Sequence, residues 1–353
     1  MISEKNNNHI SKNFSSISKK IFSFQEIGIL IPFILLILMF YLINHAFLSA
    51  ASVFSVLKVL AFYGIVGVGE TLVILGGDID ISVGSVAGFG AVFSTFLMMK
   101  FSCFGLLNTS YEWVGVIGFM IITLVVCSLI GFLNAFLIVD MKMNAFIVTI
   151  ATLWIVRGAV MVVTNGNPIY PLPSFFMDTI GTNAQIPITK IGNDVIGISL
   201  PFILFILIVA VFEILLRRSK WGRNIYATGS NREVAKIAGI NTRKVRYMNF
   251  IILSMLASLS GMLVAAFTRQ GYPPIGDGWE MIIIAGCAIG GISLAGGYGS
   301  MIGTLIGVFI MNFVTTGLVM VGINTFLQQT AQGIIILLAV YIDIFRRNRK
   351  VLS

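Results

Sequence analysis

Charged residues are scarce in this sequence, and so are the residues that most often build metal centres and active sites. Only 10% of the 353 residues are charged, whereas a soluble domain has about a quarter. The two histidines are His9 and His45, and the three cysteines lie in or beside apolar segments. Their spacing fits neither a zinc site nor a disulfide framework. No Walker loop, kinase motif set, HExxH or GxSxG is present, so the sequence predicts neither an enzyme nor a bound cofactor.

Apolar residues fill the chain instead. They make up 57% of it, and the mean hydropathy is +0.98. The sequence also has 36 glycines, a residue more frequent in membrane helices than in soluble ones. These features predict an all-α integral membrane protein in a lipid bilayer, with about ten transmembrane helices and Gly-rich helix breaks.

The 23 basic residues are unevenly distributed. Four lie in the first 26 residues, nine lie between Arg217 and Arg246, and four lie between Arg346 and Lys350. Short basic segments beside apolar runs are typical of cytoplasmic loops. This rule explains the net charge of +9 better than a nucleic-acid partner does.

Apolar runs of about 20 residues define the predicted spans. The spans are 27–44, 52–75, 81–99, 114–139, 145–163, 196–216, 247–267, 281–294, 299–322 and 325–345. An even number places both basic termini on the cytoplasmic side, together with the basic segment 217–246, and leaves 164–195 outside. The predicted organisation is a cytoplasmic tail (1–26), a transmembrane domain (27–345) and a basic cytoplasmic tail (346–353). Because 281–294 is short and Gly-rich, a bent or re-entrant helix is the alternative to a full span there.

Two carboxylates interrupt the apolar pattern in Leu75–Ser85, "LGGDIDISVGS". A charge at the centre of a bilayer costs about 2.5–3.5 kcal/mol on insertion scales, so Asp78 and Asp80 require an explanation. The glycines allow a helix to break, and Asp80 or Ser82 could cap the next span. The alternative is a polar element that lines a translocation route, since broken helices often form transporter sites.

The basic segment 217–246 contains the pattern of a short helix, "SNREVAKIAGI". The pattern assigns an N-cap to Ser230 or Asn231, a first-turn acid to Glu233, apolar contacts to Ala235, Ile237 and Ala238, and a C-cap to Gly239. A protruding helix flanked by positive charge suits docking into a soluble partner. A basic loop that only satisfies the charge rule is the alternative.

Two further stretches carry polar groups. Arg269–Glu280, "RQGYPPIGDGWE", is predicted on the outer face, where its prolines and glycines form a turn that pins two helix ends, contacts an external partner or acts as a gate. The fifth predicted span contains Thr149, Thr152 and Arg157. Arg157 either extends to the outer interface or belongs to a polar pathway.

Four motifs, in order, make the chain resemble the permease subunits of simple-sugar ABC importers, the group for ribose, xylose, arabinose, galactose and autoinducer-2. The motifs are "GDIDISVGS" (77–85), "RGAVMVVTNGNP" (157–168), "ATGSNREVAKIAGINTRKVR" (227–246) and "PPIGDGWEMIIIAGCAIGGISLAGGYGSMIGTLIG" (273–307). The resemblance runs from about Tyr63 to Asp343. One departure is Asp78, which stands where the family usually has its second glycine.

The resemblance implies a transport subunit of the bacterial cytoplasmic (inner) membrane. Its implied partners are a second permease subunit, identical or paralogous, two cytoplasmic ABC ATPases and an extracytoplasmic sugar-binding protein. It implies ATPase coupling by Gly229, Asn231, Glu233, Ala235, Gly239 and Ile240, which form a coupling helix. It places Asp78, Asp80, Ser82, Thr149, Arg157 and Glu280 at a helix break or along the translocation pathway.

Two other functions are compatible with parts of the sequence. A stand-alone secondary transporter would use Asp78, Asp80 or Glu70 to couple to protons or sodium, but it has less need of a protruding basic helix. A nucleoside permease of a related ABC group is the nearer alternative, and the motif wording favours a monosaccharide such as ribose over it.

Overall fold

The computed structural model describes residues 24–102, 111–181, 185–191, 194–324, 327–334 and 337. Eleven named helices occur in this part of the chain: α1 Phe24–Ile43, α2 Ala50–Leu75, α3 Val83–Ser102, α4 Glu112–Ala135, α5 Ala145–Thr164, α6 Leu200–Arg218, α7 Lys220–Ser230, α8 Arg232–Ile237, α9 Thr242–Thr268, α10 Trp279–Ile289 and α11 Met301–Met320. A 3-10 turn occupies His45–Leu48, and π-helical turns occupy Phe136–Asp140 and Phe175–Gly181. Helix therefore dominates, as the hydropathy predicts.

Seven of the helices in the described ranges are long and apolar enough to cross a membrane, namely α2, α3, α4 with its π-helical extension, α5, α6, α9 and α11. Helix α1 matches the first predicted span in position, with 20 residues. The last predicted span, 325–345, lies largely outside the described residues, so the total of ten stays a prediction. The two predicted tails also lie outside them, apart from the last residues before 27.

The shortest of the predicted spans is a half-helix that starts inside the bundle. Helix α10 has 11 residues and is about 16 Å long, too short to cross a bilayer. The chain before it runs back along α3, because the backbone of Gly271 lies at Thr95, that of Ile275 at Gly88, and that of Gly276 at Gly84. The segment 271–278 is thus re-entrant, which is tolerated at membrane depth only where protein surrounds it.

Helix α9 is the centre of the bundle and packs against α2, α3 and α4. Small residues allow these helices to approach closely, since the backbone of Gly90 abuts Ser258 and that of Gly131 abuts Phe250. The outer surface is apolar, with Trp154 69% and Val162 77% exposed on α5. Large apolar side chains facing outward are expected of helices surrounded by lipid or by another subunit.

A β-hairpin that the hydropathy analysis does not predict lies in the segment 164–195 and continues to residue 199. Strand β1 (Gln185–Ile191) pairs antiparallel with β2 (Asp194–Ser199). At the other end of the bundle, the basic segment begins later and ends earlier than its charge pattern suggests. Helix α6 continues to Arg218 and α9 begins at Thr242, so 219–241 connects them. We call the end of the bundle that carries 219–241 the basic end.

Candidate functional site

Four glycine backbones meet at the basic end, and we call Gly77, Gly229, Gly296 and Gly297 the glycine junction. The amide of Gly297 donates to the carbonyl of Leu75, the last residue of α2, at 3.0 Å. A Cβ atom added to Gly229 would lie 1.8 Å from that carbonyl oxygen and 2.6 Å from the Gly297 nitrogen. The C-terminal end of α7 therefore touches the end of α2 and the loop after α10 through backbone atoms, with no side chain between them.

The carboxylate of Asp80 is the centre of a buried polar network in the break between α2 and α3. Its Oδ1 accepts from the Ser82 amide at 2.7 Å and from the Ser82 hydroxyl at 2.6 Å. Asn134 of α4 donates to Ser82 Oγ at 3.2 Å and lies 3.4 Å from Asp80 Oδ2, and the Thr152 hydroxyl donates to Asn134 Oδ1 at 2.6 Å. Asp80 thus fixes the residue before α3 and ties the break to α4 and α5.

Glu70 brings a second carboxylate to the same break. Its Oε1 accepts from the backbone amide of Asp80 at 3.2 Å. Its Oε2 is buried and has no hydrogen-bond partner among the described residues. One residue further along α2, the Thr71 hydroxyl lies 2.6 Å from the hydroxyl of Thr304 on α11. This cluster joins the helix before the first break to the helix that follows the second Gly-rich segment.

Asp78 is separated from Asp80 by one residue but has different partners. Arg246 of α9 donates to it from Nε at 2.6 Å and from a terminal nitrogen at 2.8 Å. Arg232, the first residue of α8, donates to Oδ1 at 2.8 Å and also to the carbonyl of Gly77. The two aspartates of one motif therefore face opposite ways, with Asp80 turned into the bundle and Asp78 turned to the basic segment.

Arg157 organises the re-entrant segment. One terminal nitrogen donates to the carbonyls of Pro273 and Ile275, both at 3.0 Å, and the other lies 3.9 Å from Asp277 Oδ1. Because its side chain is only 12% exposed, Arg157 does not extend to an interface in this structure. It holds the turn that leads into α10.

Glu280 lies in the first turn of α10, where a carboxylate is favoured by the helix dipole. Its Oε2 is buried, with no hydrogen-bond partner in the described ranges, and packs against the backbone of Gly84 at the start of α3. The starts of α3 and α10 therefore touch through one glycine and one carboxylate. Of the predicted pathway residues, Thr149 stays apart, because its hydroxyl donates only to carbonyls of its own helix.

The basic segment forms the short helix that its pattern predicts. The side chain of Asn231 caps α8 by accepting from the amides of Glu233 and Val234, each at 3.0 Å. After the helix, Gly239 has a φ of +80°, and the amide of Ile240 donates to the carbonyl of Ala235 at 3.0 Å. The helix is thus closed at both ends by local hydrogen bonds.

The exposed apolar residues of α8 coincide only in part with the ones that the sequence singles out, since Ile237 is among them and Ala235 is not. Ala235 is only 3% exposed and packs inward, whereas Val234 is 59% and Ile237 87% exposed. Sequence reasoning also missed Asn134 and gave no partner to Arg232 or Arg246. The signal for Asn134 is its amide inside the apolar run of α4.

A bundle of long apolar helices, with two Gly-rich helix ends and a re-entrant half-helix inside it, defines a polytopic membrane transport protein. Residues 52–340 match the family described as the branched-chain amino acid transport system permease component. The chain belongs to this permease family, whose members are transport components.

Several characterised relatives align with most of the chain. It is 32% identical to the ribose import permease protein RbsC of Bacillus subtilis over 90% of this chain and 92% of that protein. It is 30% identical to the xylose transport system permease protein XylH of Escherichia coli (92% and 93% covered) and to the L-arabinose ABC transporter permease protein AraH of Azospirillum brasilense (92% and 88%). No solved structure matched the chain.

Proposed function

We propose that this chain is the transmembrane permease subunit of an ATP-driven importer that translocates a monosaccharide, with ribose as the first candidate. The family description names amino acids, but the relatives that align over most of the chain are permeases for ribose, xylose and arabinose. The observation that carries the proposal is the glycine junction. It brings the basic segment into backbone contact with the Gly-rich ends of two helices.

The proposed complex contains two permease subunits, identical or paralogous, two cytoplasmic ABC ATPases and an extracytoplasmic sugar-binding protein. It would lie in the bacterial cytoplasmic membrane, with both termini and the basic end on the cytoplasmic side. ATP hydrolysis belongs to the ATPase subunits, and this chain supplies the route. The proposed domain organisation has tails over 1–26 and 346–353 and the permease domain, 27–345, between them.

Helix α8 is the proposed coupling helix. Its exposed apolar residues Val234 and Ile237 would enter a groove of the ATPase, while Ala235 packs inward and Glu233 lies beside the cap. Motion of α8 would be transmitted to the membrane helices through Gly229, because the Gly229 backbone is in direct contact with the backbones of Leu75 and Gly297. Asn231, Gly239 and Ile240 keep the helix short and rigid.

The proposed translocation route passes the region where α3, α5 and α10 meet. Glu280 and Arg157 would form its polar lining, because both are held at the turn before α10 and one carboxylate oxygen of Glu280 is free of partners among the described residues. Asp80 and Ser82 have a different proposed role, as the hinge of the break, because their polar atoms are used within the network. Thr149 is a proposed route residue whose hydroxyl donates only to carbonyls of its own helix.

The experiment that tests the function is uptake of labelled ribose, xylose, arabinose, a nucleoside and leucine into proteoliposomes. The vesicles contain the chain alone or with its cognate ATPase and binding protein, with ATP on the ATPase side and no ion gradient. Uptake of a monosaccharide only in the complete mixture with hydrolysable ATP is expected. Uptake by the chain alone under a proton or sodium gradient would contradict the proposal and favour a secondary transporter. If the complete mixture takes up the nucleoside or leucine but no monosaccharide, the proposed substrate class is wrong.

The variant Ile237→Glu tests docking separately from transport. A charge at this position meets water in the isolated chain, since Ile237 is 87% exposed, so the fold is expected to persist. Copurification of the ATPase is expected to be lost, because the proposed groove is apolar. Normal copurification of the variant would rule out α8 as the docking element.

A further inference from the structure

The carboxylate of Asp78 joins two elements that are far apart in sequence. Arg246 binds both of its oxygens from α9, and Arg232 binds one of them from the start of α8. All three groups lie at the basic end, beside the glycine junction. Since Asp78 follows Gly77 directly, a force on its side chain acts on the backbone that ends α2.

The two arginines hold Asp78 in different surroundings. The side chain of Arg246 is 11% exposed and makes two parallel contacts, an arrangement that is strong and directional. The side chain of Arg232 is 39% exposed and reaches the carboxylate through a single nitrogen. If Arg232 moved away, Asp78 would keep its other partner and no buried carboxylate would be left unpaired. If Arg246 were removed, Asp78 would depend on the more exposed cation alone.

The structure also has room for Arg232 to move. An open cavity of about 590 Å³ lies beside the ion pair and is lined by Asp78, Arg232, Lys236 and Arg246, among other residues. The ammonium group of Lys236 has no ion-pair partner among the described residues. Arg232 can therefore swing into this open space without displacing a packed side chain.

We infer that Asp78 is a positioning residue for coupling, in which Arg246 is a permanent anchor and Arg232 is a releasable link between the coupling helix and the end of α2. The inference rests on the proposed function, because the link transmits motion only if α8 receives motion from an ATPase. It assigns a role to the carboxylate that departs from the motif of the family that the sequence resembles. With the link formed, movement of α8 displaces Gly77 and Asp78 as well as the backbone that Gly229 contacts; with the link broken, only the Gly229 contact transmits the movement.

The test measures uptake and ATP hydrolysis together in proteoliposomes that contain the complete complex. The variants are Arg232→Gln, which removes the charge of the link, and Arg232→Lys, which retains it. The matched control is Arg243→Gln, because Arg243 lies at the start of α9 and makes its own 2.8 Å ion pair, with Asp140 and not with Asp78. Melting temperature and ATPase copurification are recorded for every variant.

We expect Arg232→Gln to fold and to bind the ATPase, while sugar transported per ATP falls about tenfold, within the usual range of coupling between sites. Arg232→Lys should recover most of this ratio, and Arg243→Gln should keep the wild-type value. A merely structural role would lower the melting temperature and both rates together, leaving the ratio unchanged.

Three results would overturn the inference. If Arg232→Gln keeps ATP-dependent uptake and the wild-type ratio of sugar transported to ATP hydrolysed, Arg232 is not a coupling link, while the proposed function stands. A failure of Arg232→Gln to fold shows that Arg232 is an anchor and not a releasable contact. If the wild-type complex transports no member of the panel, the proposed function fails, and the inference that rests on it fails with it.

Discussion

Two helix ends meet at the basic end of the molecule, and they have the same backbone and different side chains. At the end of α2, the Gly77 amide donates to Ile74 at 2.9 Å and the Asp78 amide to Val73 at 3.1 Å; at the end of α10, Gly291 donates to Ala288 and Ile292 to Cys287, both at 3.0 Å. The two glycines in these turns have φ values of +83° and +87°, which glycine adopts without strain. Both ends are Schellman motifs.

The residue that follows each turn makes the difference. A Schellman motif usually has an apolar residue there, packed back on the helix, and Ile292 follows that rule with no exposed surface. Asp78 breaks the rule and binds two arginines of the basic segment and α9 instead. One end is therefore fixed in the apolar bundle, and the other is tied by charge to the element proposed to move. Gly229 contacts the first end and the loop that follows the second.

The largest expected effect comes from substituting Gly229, which contacts the end of α2 and the loop after α10. In Gly229→Ala the new methyl group would overlap the Leu75 carbonyl, at 1.8 Å, and the Gly297 amide. Since both obstacles are backbone, the junction must open, and we expect little folded protein and no uptake. Fluorescence-detected size-exclusion chromatography of the detergent-solubilised chain measures the first effect.

Gly118→Ala is the matched control for the junction variant. A Cβ atom there has nothing within 4 Å, and alanine favours helix over glycine by about 1 kcal/mol. This variant should elute and melt like the wild type or slightly better. A Gly229→Ala chain with the control's elution profile and melting temperature would show that the junction is looser than its geometry indicates.

The next largest effect is expected when the end of α10 receives an aspartate, the residue that follows the turn at the end of α2. Ile292→Asp places a carboxylate in the apolar core that contains Ile292, and an unpaired buried charge costs about 3–5 kcal/mol. A lower melting temperature in detergent is the expected result. The conservative Ile292→Val should cost only about 0.5–1.5 kcal/mol. Equal melting temperatures for the two variants would mean that this end is wetter than its burial implies.

The reverse exchange should be milder. In Asp78→Ile the two guanidinium groups lose their carboxylate, but Arg232 already reaches solvent and only Arg246 is nearly buried. We expect a loss of about 1–3 kcal/mol, between the values for exposed and buried pairs. The same melting experiment reads it out, and a loss larger than that of Ile292→Asp would reverse the ranking of the two ends.

What the sequence could predict about these ends is their local part. Glycine pairs mark the ends of α2 and α10, and "SNREVAKIAGI" marks α8 with its Asn231 cap, because a turn or a cap is encoded within about six residues. The hydropathy likewise locates the seven long spans. The hydropathy analysis does not predict the two strands of the hairpin, because it identifies long apolar runs and not the alternation in "QIPITKIGNDVIGIS".

The contacts that make a site of these elements were not predictable in the same way. Asp78 and Arg246 are 168 residues apart, and Asn134 and Asp80 are 54 apart. No periodicity relates such positions, and a carboxylate between glycines reads equally well as a cap, a hinge or a pathway group. Packing decides among these roles, as the opposite directions of Asp78 and Asp80 illustrate.

The smallest expected effect concerns the loop after the second end. The hydroxyl of Tyr226 on α7 donates to the carbonyl of Gly299 at 2.9 Å, so Tyr226→Phe removes one hydrogen bond and keeps the ring. A net cost of about 0.5–1.5 kcal/mol follows. Burial is the main cause that raises the pKa of Tyr226 above its ordinary value, so the neutral hydroxyl should donate throughout the neutral range. The difference in melting temperature between Tyr226→Phe and wild type should therefore be the same at pH 6 and pH 9. A difference that vanishes at pH 9 would show that the hydroxyl ionises by that pH and no longer donates to the Gly299 carbonyl.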